Sequence, residues 1–262
     1  MLKKPKFIAL ILTQNNENTI NKCIKSIYKF VDKIIIIDGF SSDNTLKILK
    51  KKKIKILKYK FTSCLSSLSF GMSYILKKYK NSIVIRLDSD EKIIFFKSIK
   101  AIKVDLSNII YKKKNIAILR NVVYKNLIIS NQLSRFTIRI SPSDSKYDNN
   151  LMDEKILGPY ENYYYIKIID FASISLNNHI KKHINYAYLE FLTYQNFIFL
   201  SKKRKFYYRL PIFLRSTLYS LYLILFTVKI NKNFFYNFSY QFIRGFFFRL
   251  YVDFLILKKN YK

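Results

Sequence analysis

Tryptophan is absent from the 262 residues, and there are only two cysteines, two histidines, four glycines and four prolines. Two cysteines, Cys23 and Cys64, build no disulfide framework and have no metal-ligand spacing. A reducing compartment suits both, and Cys23 falls on the apolar face of an expected helix, where a small buried thiol belongs. With so little Gly and Pro, turns must be made largely by Asn, Ser and Asp. Acid is scarce as well: 16 Asp plus Glu stand against 48 Lys plus Arg, a formal net charge of +32. No stretch reaches the roughly 18 uncharged apolar residues of a membrane-spanning helix. The nearest, Ser216 to Val228 between Arg215 and Lys229, is too short to span and suits a bilayer interface. The start, with Lys3, Lys4 and Lys6 before Phe7 to Leu12, imitates a secretion signal. Its apolar run is short, and Gln14-Asn15-Asn16-Glu17 offers no small-residue cleavage site, so it reads as a first buried strand.

What is present is apolar and aromatic. Hydrophobic residues make up 50% and aromatic residues 17%, enough for a sizeable core and against disorder over most of the length. The length allows one large domain, or one domain with a smaller appendage. A basic surface can bind nucleic acid, anionic lipid or phosphorylated substrates. Lys, Ile, Asn, Tyr and Phe are abundant together, the bias that codon drift in an AT-rich genome produces, so part of the charge is composition rather than function.

The first half alternates apolar runs with helical patterns. Phe7–Thr13 reads as a strand. Glu17–Phe30 reads as an amphipathic helix with Ile20, Cys23, Ile24, Ile27 and Tyr28 on one face. Lys33–Asp38 holds four consecutive isoleucines, the mark of a strand buried on both faces. Ser42 or Asp43 can cap the next helix, which carries Leu46 and Leu49. Ile54–Tyr59 is a third strand. A helix bearing Leu65, Leu68, Met72, Ile75, Leu76 and Tyr79 comes next, and Ile83–Leu87 is a fourth strand. This alternation predicts a parallel sheet with helices on both faces, whose ligands collect at the carboxyl ends of the strands. Beyond residue 100, Ile116–Leu119, Val122–Tyr124 and Arg135–Ile140 read as shorter strands. From about residue 174 the pattern is helical, with Ile180, Ile184, Ala187, Tyr188, Phe191 and Leu192 sharing a face. The Lys50–Lys53 run reads as a solvated helix end.

Three acidic sites and a histidine pair stand out. Asp38 ends the second strand and precedes Gly39. A carboxylate there can accept a hydrogen bond from the imide N–H of uracil, or simply cap a turn. Asp88-Ser89-Asp90 ends the fourth strand. Two carboxylates so placed can hold a divalent cation against the growing charge of a leaving diphosphate, or can be a helix cap or a solvated turn. Asp153-Glu154 can supply a general base or be an exposed acidic pair. His179 and His183 have zinc-like i, i+4 spacing but no Glu between them and no third ligand, so they read as a solvated helix face.

Four blocks carry a resemblance to the inverting glycosyltransferases of family 2, which have the GT-A fold. They are Ile8-Ala9-Leu10-Ile11-Leu12-Thr13-Gln14-Asn15-Asn16-Glu17, then Ile34 to Thr45, close to the pattern Asp-x-Gly-Ser-x-Asp-x-Thr, then Arg86-Leu87-Asp88-Ser89-Asp90-Glu91, and Met152-Asp153-Glu154. The chain resembles most the branch that decorates the lipopolysaccharide core, in its Asp-x-Asp-Glu signature, in the helix around Asn185-Tyr186 and in its basic, aromatic tail. Two departures are visible. Ser69-Phe70-Gly71 stands where the family often has Asn or Arg-Asn, and Asp170 stands where the branch commonly has a His that can bind metal.

The resemblance implies an α/β, GT-A catalytic domain over residues 1–172, Rossmann-like with a mostly parallel sheet flanked by helices, and a C-terminal helical, membrane-associating region over 173–262. It implies transfer of a sugar from a nucleotide-sugar donor, linked to UDP, to a glycolipid or glycan acceptor such as a lipopolysaccharide core. Glu154 would be the general base, with Asp153 as fallback. Asp38 would read the nucleobase, and Thr13, Asn15, Glu17, Ser41, Asp43, Asp88 and Arg139 would contact substrate. Asp88, Asp90 and Asp170 would hold Mg²⁺ or Mn²⁺. Arg204, Lys205, Arg209 and Arg215 would meet lipid phosphates on the inner, cytoplasmic face of the membrane as a peripheral contact, with no nucleic-acid partner. The rival readings are a basic nucleic-acid-binding protein and a non-catalytic GT-A relative serving as a membrane-bound assembly subunit.

Overall fold

A computed structural model of the chain describes residues 4–52, 54–124, 127–128, 135–148, 155–171, 176–195, 202–211, 214–218, 221, 225 and 234–260. The elements run β1 (Lys6–Thr13), α1 (Ile20–Ile27), β2 (Lys33–Asp38), α2 (Thr45–Lys50), β3 (Lys55–Lys58), α3 (Cys64–Lys78), β4 (Ser82–Asp88) and β5 (Glu91–Phe95). They continue through α4 (Ile99–Tyr111), β6 (Asn115–Tyr124), β7 (Leu127–Ile128), β8 (Arg135–Pro142), β9 (Tyr160–Phe171), α5 (Leu176–Gln195) and α6 (Lys202–Arg209). The last two helices are α7 (Phe234–Phe242) and α8 (Phe248–Asn260), joined by the π-helical turn Ile243–Phe247. The chain divides into two compact units. One comprises Met1–Asn121, Ser134–Asp148 and Glu154–Phe171; the other comprises Val122–Leu133, Asn149–Asp153 and Ala172–Lys262.

The sheet has the order β3-β2-β1-β4-β8-β6-β9-β5, with β7 pairing β6. Strands β3, β2, β1 and β4 are parallel, as expected. From β4 onward the pairings of β4 with β8, β6 with β8 and β5 with β9 are antiparallel. The sheet is therefore mixed rather than mostly parallel. A parallel neighbour needs a crossover helix, whereas an antiparallel one can return through a turn; β4 and β5, joined by the Ser89-Asp90 turn, do not pair with each other, since β4 pairs with β8 and β5 with β9.

Strand alternation divides the buried side chains between two cores. Phe7, Ala9, Ile11, Ile34 and Ile36 pack with Ile20, Cys23, Ile24 and Ile27 of α1 and with Ile102 and Leu106 of α4. Ile8, Leu10, Leu12, Ile35 and Ile37 pack with Leu68, Met72 and Ile75 of α3. That double burial is why β1 and β2 read as unbroken apolar runs. Ser63 caps α3 by accepting a hydrogen bond from Ser66 N at 3.1 Å, and Ser66 Oγ accepts one from Ser63 N at 3.2 Å. Tyr28, expected on the buried face of the first helix, is instead 65% exposed at its C-terminal cap.

In the second unit, Ala187 and Phe191 of α5 pack against Tyr208 of α6 and Phe248, Val252 and Ile256 of α8. Glu190 is buried there and accepts a hydrogen bond from Tyr208 Oη at 2.8 Å. Asp253, also buried, accepts hydrogen bonds from Arg215 Nε at 2.8 Å and from Arg215 Nη2 and Ser216 Oγ. Two expectations are overturned. His183 is not on a solvated face but buried, edge-on to Tyr186 and Phe248. Arg215 is committed to Asp253 inside the unit and is not available to lipid phosphates. Among the described residues no helix is long and apolar enough to cross a membrane.

Gly71 marks the closest approach of α3 to the sheet. A Cβ there would lie 2.6 Å from Leu10 Cδ1 and 3.2 Å from Ile37 Cγ1, both in fully packed surroundings. Gly71→Ala would recover about 1 kcal/mol of helix propensity, but overpacking costs about 1–3 kcal/mol. A net loss of stability is therefore expected in urea unfolding, and a stabilised variant would show that α3 can move off the sheet freely.

Candidate functional site

Two loops open at the carboxyl ends of adjacent parallel strands. The first joins the ends of β1 and β2. Asp38 is fully buried. Its Oδ2 accepts a hydrogen bond from Ser41 N at 3.1 Å and its Oδ1 accepts one from Ser41 Oγ at 2.6 Å. Ser41 Oγ in turn accepts from Asn15 N at 2.9 Å, and Asn15 Oδ1 accepts from Ser42 N at 2.8 Å. Glu17 N donates to Asp43 Oδ2 at 3.0 Å, and Glu17 Oε2 accepts from Asn44 N at 2.9 Å. Asp43 Oδ1 accepts from Thr45 N at 2.9 Å. Burial acts to raise the Asp43 carboxyl, but hydrogen bonds from Thr45 and Glu17 outweigh it and leave the group below its usual range. Helix α2 begins after Asn44 with no side-chain cap bond from that residue, so Asp43 braces the helix start from one position earlier than a cap.

Thr13, Asn15, Glu17, Asp38, Ser41 and Asp43 are thus brought together. Thr13 lies opposite Asp38 in the β1–β2 register, accepts a hydrogen bond from Gly39 N at 2.9 Å, and has a buried Oγ1 with no hydrogen-bond partner among the described residues. Phe40 crosses this loop at φ 62°, in the left-handed region, where the pattern Asp-x-Gly-Ser-x-Asp-x-Thr has its Gly. A side chain in that conformation costs about 1–2 kcal/mol.

The second loop is the Ser89-Asp90 turn. Ser89 N donates to Leu12 O at 3.1 Å, which ties the turn to the end of β1. Glu91, the first residue of β5, is fully buried. Its Oε2 accepts a hydrogen bond from Asp88 N at 2.9 Å; its Oε1 accepts from Arg139 Nη2 at 2.6 Å and from Arg120 Nε at 3.0 Å. Arg139 Nη2 also lies 3.3 Å from Asp88 Oδ2, and Arg86 Nη2 lies 3.7 Å from Asp88 Oδ1. Asp170 faces Glu91 across the β5–β9 ladder and accepts a hydrogen bond from Arg120 Nη2. Burial pushes the Glu91 carboxyl up to about 7, and although Arg139 and Arg120 pull it down, Asp88 and Asp170 add to the rise.

Three guanidiniums, of Arg86, Arg120 and Arg139, here meet four carboxylates, of Asp88, Asp90, Glu91 and Asp170. The set keeps an acidic excess at Asp88 and Asp90, which are partly exposed. Asp170 Oδ1 is buried and has no hydrogen-bond partner among the described residues. Oxygen donors of this kind fit a hard divalent cation, although no group of three or more candidate ligands is preformed among the described residues. Asp153 and Glu154 lie outside the described residues. Sequence reasoning gave no role to Glu91, Arg120 or Arg86. The signal for Arg120 was a charge inside the apolar run Ile116 to Val123, since a charge in a buried strand needs a partner.

The fold and site define an α/β protein with an acidic, arginine-buttressed turn at the carboxyl edge of its parallel strands. Residues 9–94 match the family model described as Glycosyl transferase family 2. No curated protein matches. Among solved structures, S. aureus TarS 1-349 is 14% identical over 70% of this chain and 65% of its own, with a TM-score of 0.41. The same protein in complex with UDP aligns over 98% of this chain and 91% of its own at 13% identity and a TM-score of 0.44. Glucosyl-3-phosphoglycerate synthase from Mycobacterium tuberculosis, in complex with Mn²⁺, UDP and phosphoglyceric acid, covers 46% of this chain and 43% of its own at 18% identity and a TM-score of 0.33. Likenesses this distant carry no functional weight, which falls instead on the residues of the two loops and on the family match.

Glu91→Ala would leave buried Arg139 and half-buried Arg120 without their shared partner, a loss of about 3–5 kcal/mol by the usual cost of halving a buried pair. Denaturant unfolding should show it. A loss of less than about 1 kcal/mol, well under that cost, would mean that Arg120 and Arg139 find other acceptors.

Proposed function

We propose that the chain is an inverting glycosyltransferase of family 2 that uses a nucleotide-activated sugar. One observation carries the reading: the Asp38 loop and the Asp88-Ser89-Asp90 turn open side by side, because β2, β1 and β4 are adjacent parallel strands. The family match spans both loops. A UDP donor would lay its base at the Asp38 loop and its diphosphate at the acidic turn. Asp38 is buried and engaged by Ser41 through both oxygens, so reading a uracil imide requires Ser41 to yield; until then the carboxylate sets the shape of the loop. Asp88 and Asp90 would hold Mg²⁺ or Mn²⁺, with Asp170 Oδ1 as a further donor. Such an ion supplies Lewis-acid neutralisation of the diphosphate.

Glu154, or Asp153 in its place, would take the proton of an acceptor hydroxyl. That oxygen bonds to the anomeric carbon as the carbon–diphosphate bond breaks on the opposite side, which inverts the centre. Arg139 and Arg86, held against Asp88, set positive charge beside the leaving group.

The acceptor we infer is a glycolipid or other glycan, with residues 173–262 resting on an anionic leaflet at the cytoplasmic face. Beyond Asp170, Glu190 and Asp253 are the only acidic residues, and both are buried in internal bonds. The described surface of that region therefore carries positive charge alone, beside exposed Phe235, Phe238, Phe242 and Phe254. Basic heads over apolar and aromatic groups suit an anionic bilayer surface. A nucleic-acid partner would leave the acidic turn without a use.

With Mn²⁺ present, UDP should raise the thermal midpoint of the wild type. Asp90→Asn should lower transfer or hydrolysis of UDP-sugars by roughly 10²-fold or more, the range for losing one charge-stabilising group. Stabilisation by no nucleoside diphosphate, or full activity in Asp90→Asn, would exclude the reading. Separately, the protein should float with phosphatidylglycerol vesicles and not with phosphatidylcholine ones, and a Phe235→Ser, Phe254→Ser variant should stay behind. Equal behaviour on both vesicles would rule out the leaflet contact.

A further inference from the structure

We propose that Phe40 is the stacking platform for the planar base of the nucleotide, an inference that rests on the nucleotide-sugar reading and deepens it. Asp38 is buried, and the aromatic side chain that the same loop presents to solvent is Phe40, 57% exposed. The loop holds it there against the backbone's preference, at φ 62°. A bulky residue kept in the left-handed region needs surroundings that over-determine it, and such strain gathers at ligand sites. Those surroundings are visible. Ser41, directly after Phe40, is fixed by Asp38 through both its N–H and its hydroxyl. Gly39, directly before it, donates its N–H to Thr13 O at 2.9 Å and accepts a hydrogen bond at its carbonyl from Gln14 Nε2 at 2.9 Å. A Cβ on Gly39 would meet Gln14 and Phe61 side-chain atoms at 3.2 Å, so the chain before Phe40 is closely packed. Rigid hydrogen bonds on both sides thus fix the direction of an exposed ring.

Lys58, at the carboxyl end of β3, places its Nζ 5.8 Å from the Phe40 ring centroid. An aromatic ring with an ammonium near it suits a planar heterocycle carried on a polyanion. Every nucleobase offers a π-face to such a ring, so stacking supplies affinity without choosing the base. Choice would remain with polar groups such as Asp38. A structural role for Phe40 is disfavoured by its exposure, because a ring placed for packing would be covered.

The substitution that tests this is Phe40→Gly, since Gly accepts the left-handed backbone without strain and Phe40→Ala would not. UDP and inorganic pyrophosphate, each with Mn²⁺, would be titrated calorimetrically into wild type, Phe40→Gly and Phe40→Tyr. The expected result is UDP affinity at least roughly 10-fold weaker in Phe40→Gly, within about threefold of wild type in Phe40→Tyr, and pyrophosphate affinity unchanged in both, in line with the usual worth of one base–aromatic stack. The thermal midpoint of Phe40→Gly should not fall. UDP affinity in Phe40→Gly within about threefold of wild type would overturn the assignment, as would an equal loss for UDP and pyrophosphate, which would mark general damage to the loop. A wild-type protein that takes pyrophosphate but not UDP would overturn both this assignment and the nucleotide-sugar reading.

Discussion

The site depends on one buried carboxylate. Glu91 takes an N–H from Asp88 and two guanidiniums from separate strands, Arg120 of β6 and Arg139 of β8. This single group therefore fixes the turn after β4 relative to the antiparallel half of the sheet. Its burial is expensive, as the upward push on its carboxyl shows. Two arginines compensate that cost, and Asp170 on β9 takes the remaining reach of Arg120. Buried ion pairs are weak evidence for net stability, because an apolar set of similar volume often does as well. What they provide here is geometry: Asp88 is held at the edge of the parallel strands by its N–H to Glu91 and by Arg139 and Arg86 at its carboxylate.

The two loops solve the same problem with different chemistry. At the Asp38 loop the groups are mostly uncharged donors closing on three carboxylates, and bonds that cross from one strand end to the other join residues 26 or 27 apart in sequence. The loop is thereby stitched to the start of α1 and needs no arginine. At the Asp88 turn, carboxylates crowd together, and only guanidiniums can balance them. The first loop is rigid enough to hold a non-glycine residue in the left-handed region. The second is charged enough to favour a cation. A diphosphate with a base at one end and a metal at the other has that same polarity.

Legibility in the sequence tracked burial pattern. Strands β1, β2 and β4 were readable because both their faces are covered, which leaves continuous apolar runs. Helices α1, α3 and α5 were readable from their 3.6-residue period. Strand β5 was hidden inside the acidic motif, and β9, a run of 12 residues from Tyr160, was hidden because its exposed first half carries Tyr, Glu and Asn without alternation. Helix α4 lacks acidic residues in its first turn and basic ones in its last, so its ends gave no charge signal. His183 looked solvated beside Lys181 and Lys182, yet its own position on the helix turns inward to Phe248. Arg215 looked like a surface charge because Asp253, its partner, lies 38 residues away.

By itself the sequence determined the parallel strands, the helices between them, and the two loops at their carboxyl ends, because local period, apolar runs and short motifs are properties of neighbouring residues. It also determined that acid is nearly absent after Asp170. Only the tertiary structure decided that the sheet turns antiparallel after β4, that Glu91 rather than Asp88 anchors the turn, and that Asp38 lies beneath its loop while Phe40 stands exposed on it. Each of these depends on which distant side chain meets a buried charge or covers a strand face. Partners of that kind are chosen by how the chain folds back on itself, and no local pattern encodes them.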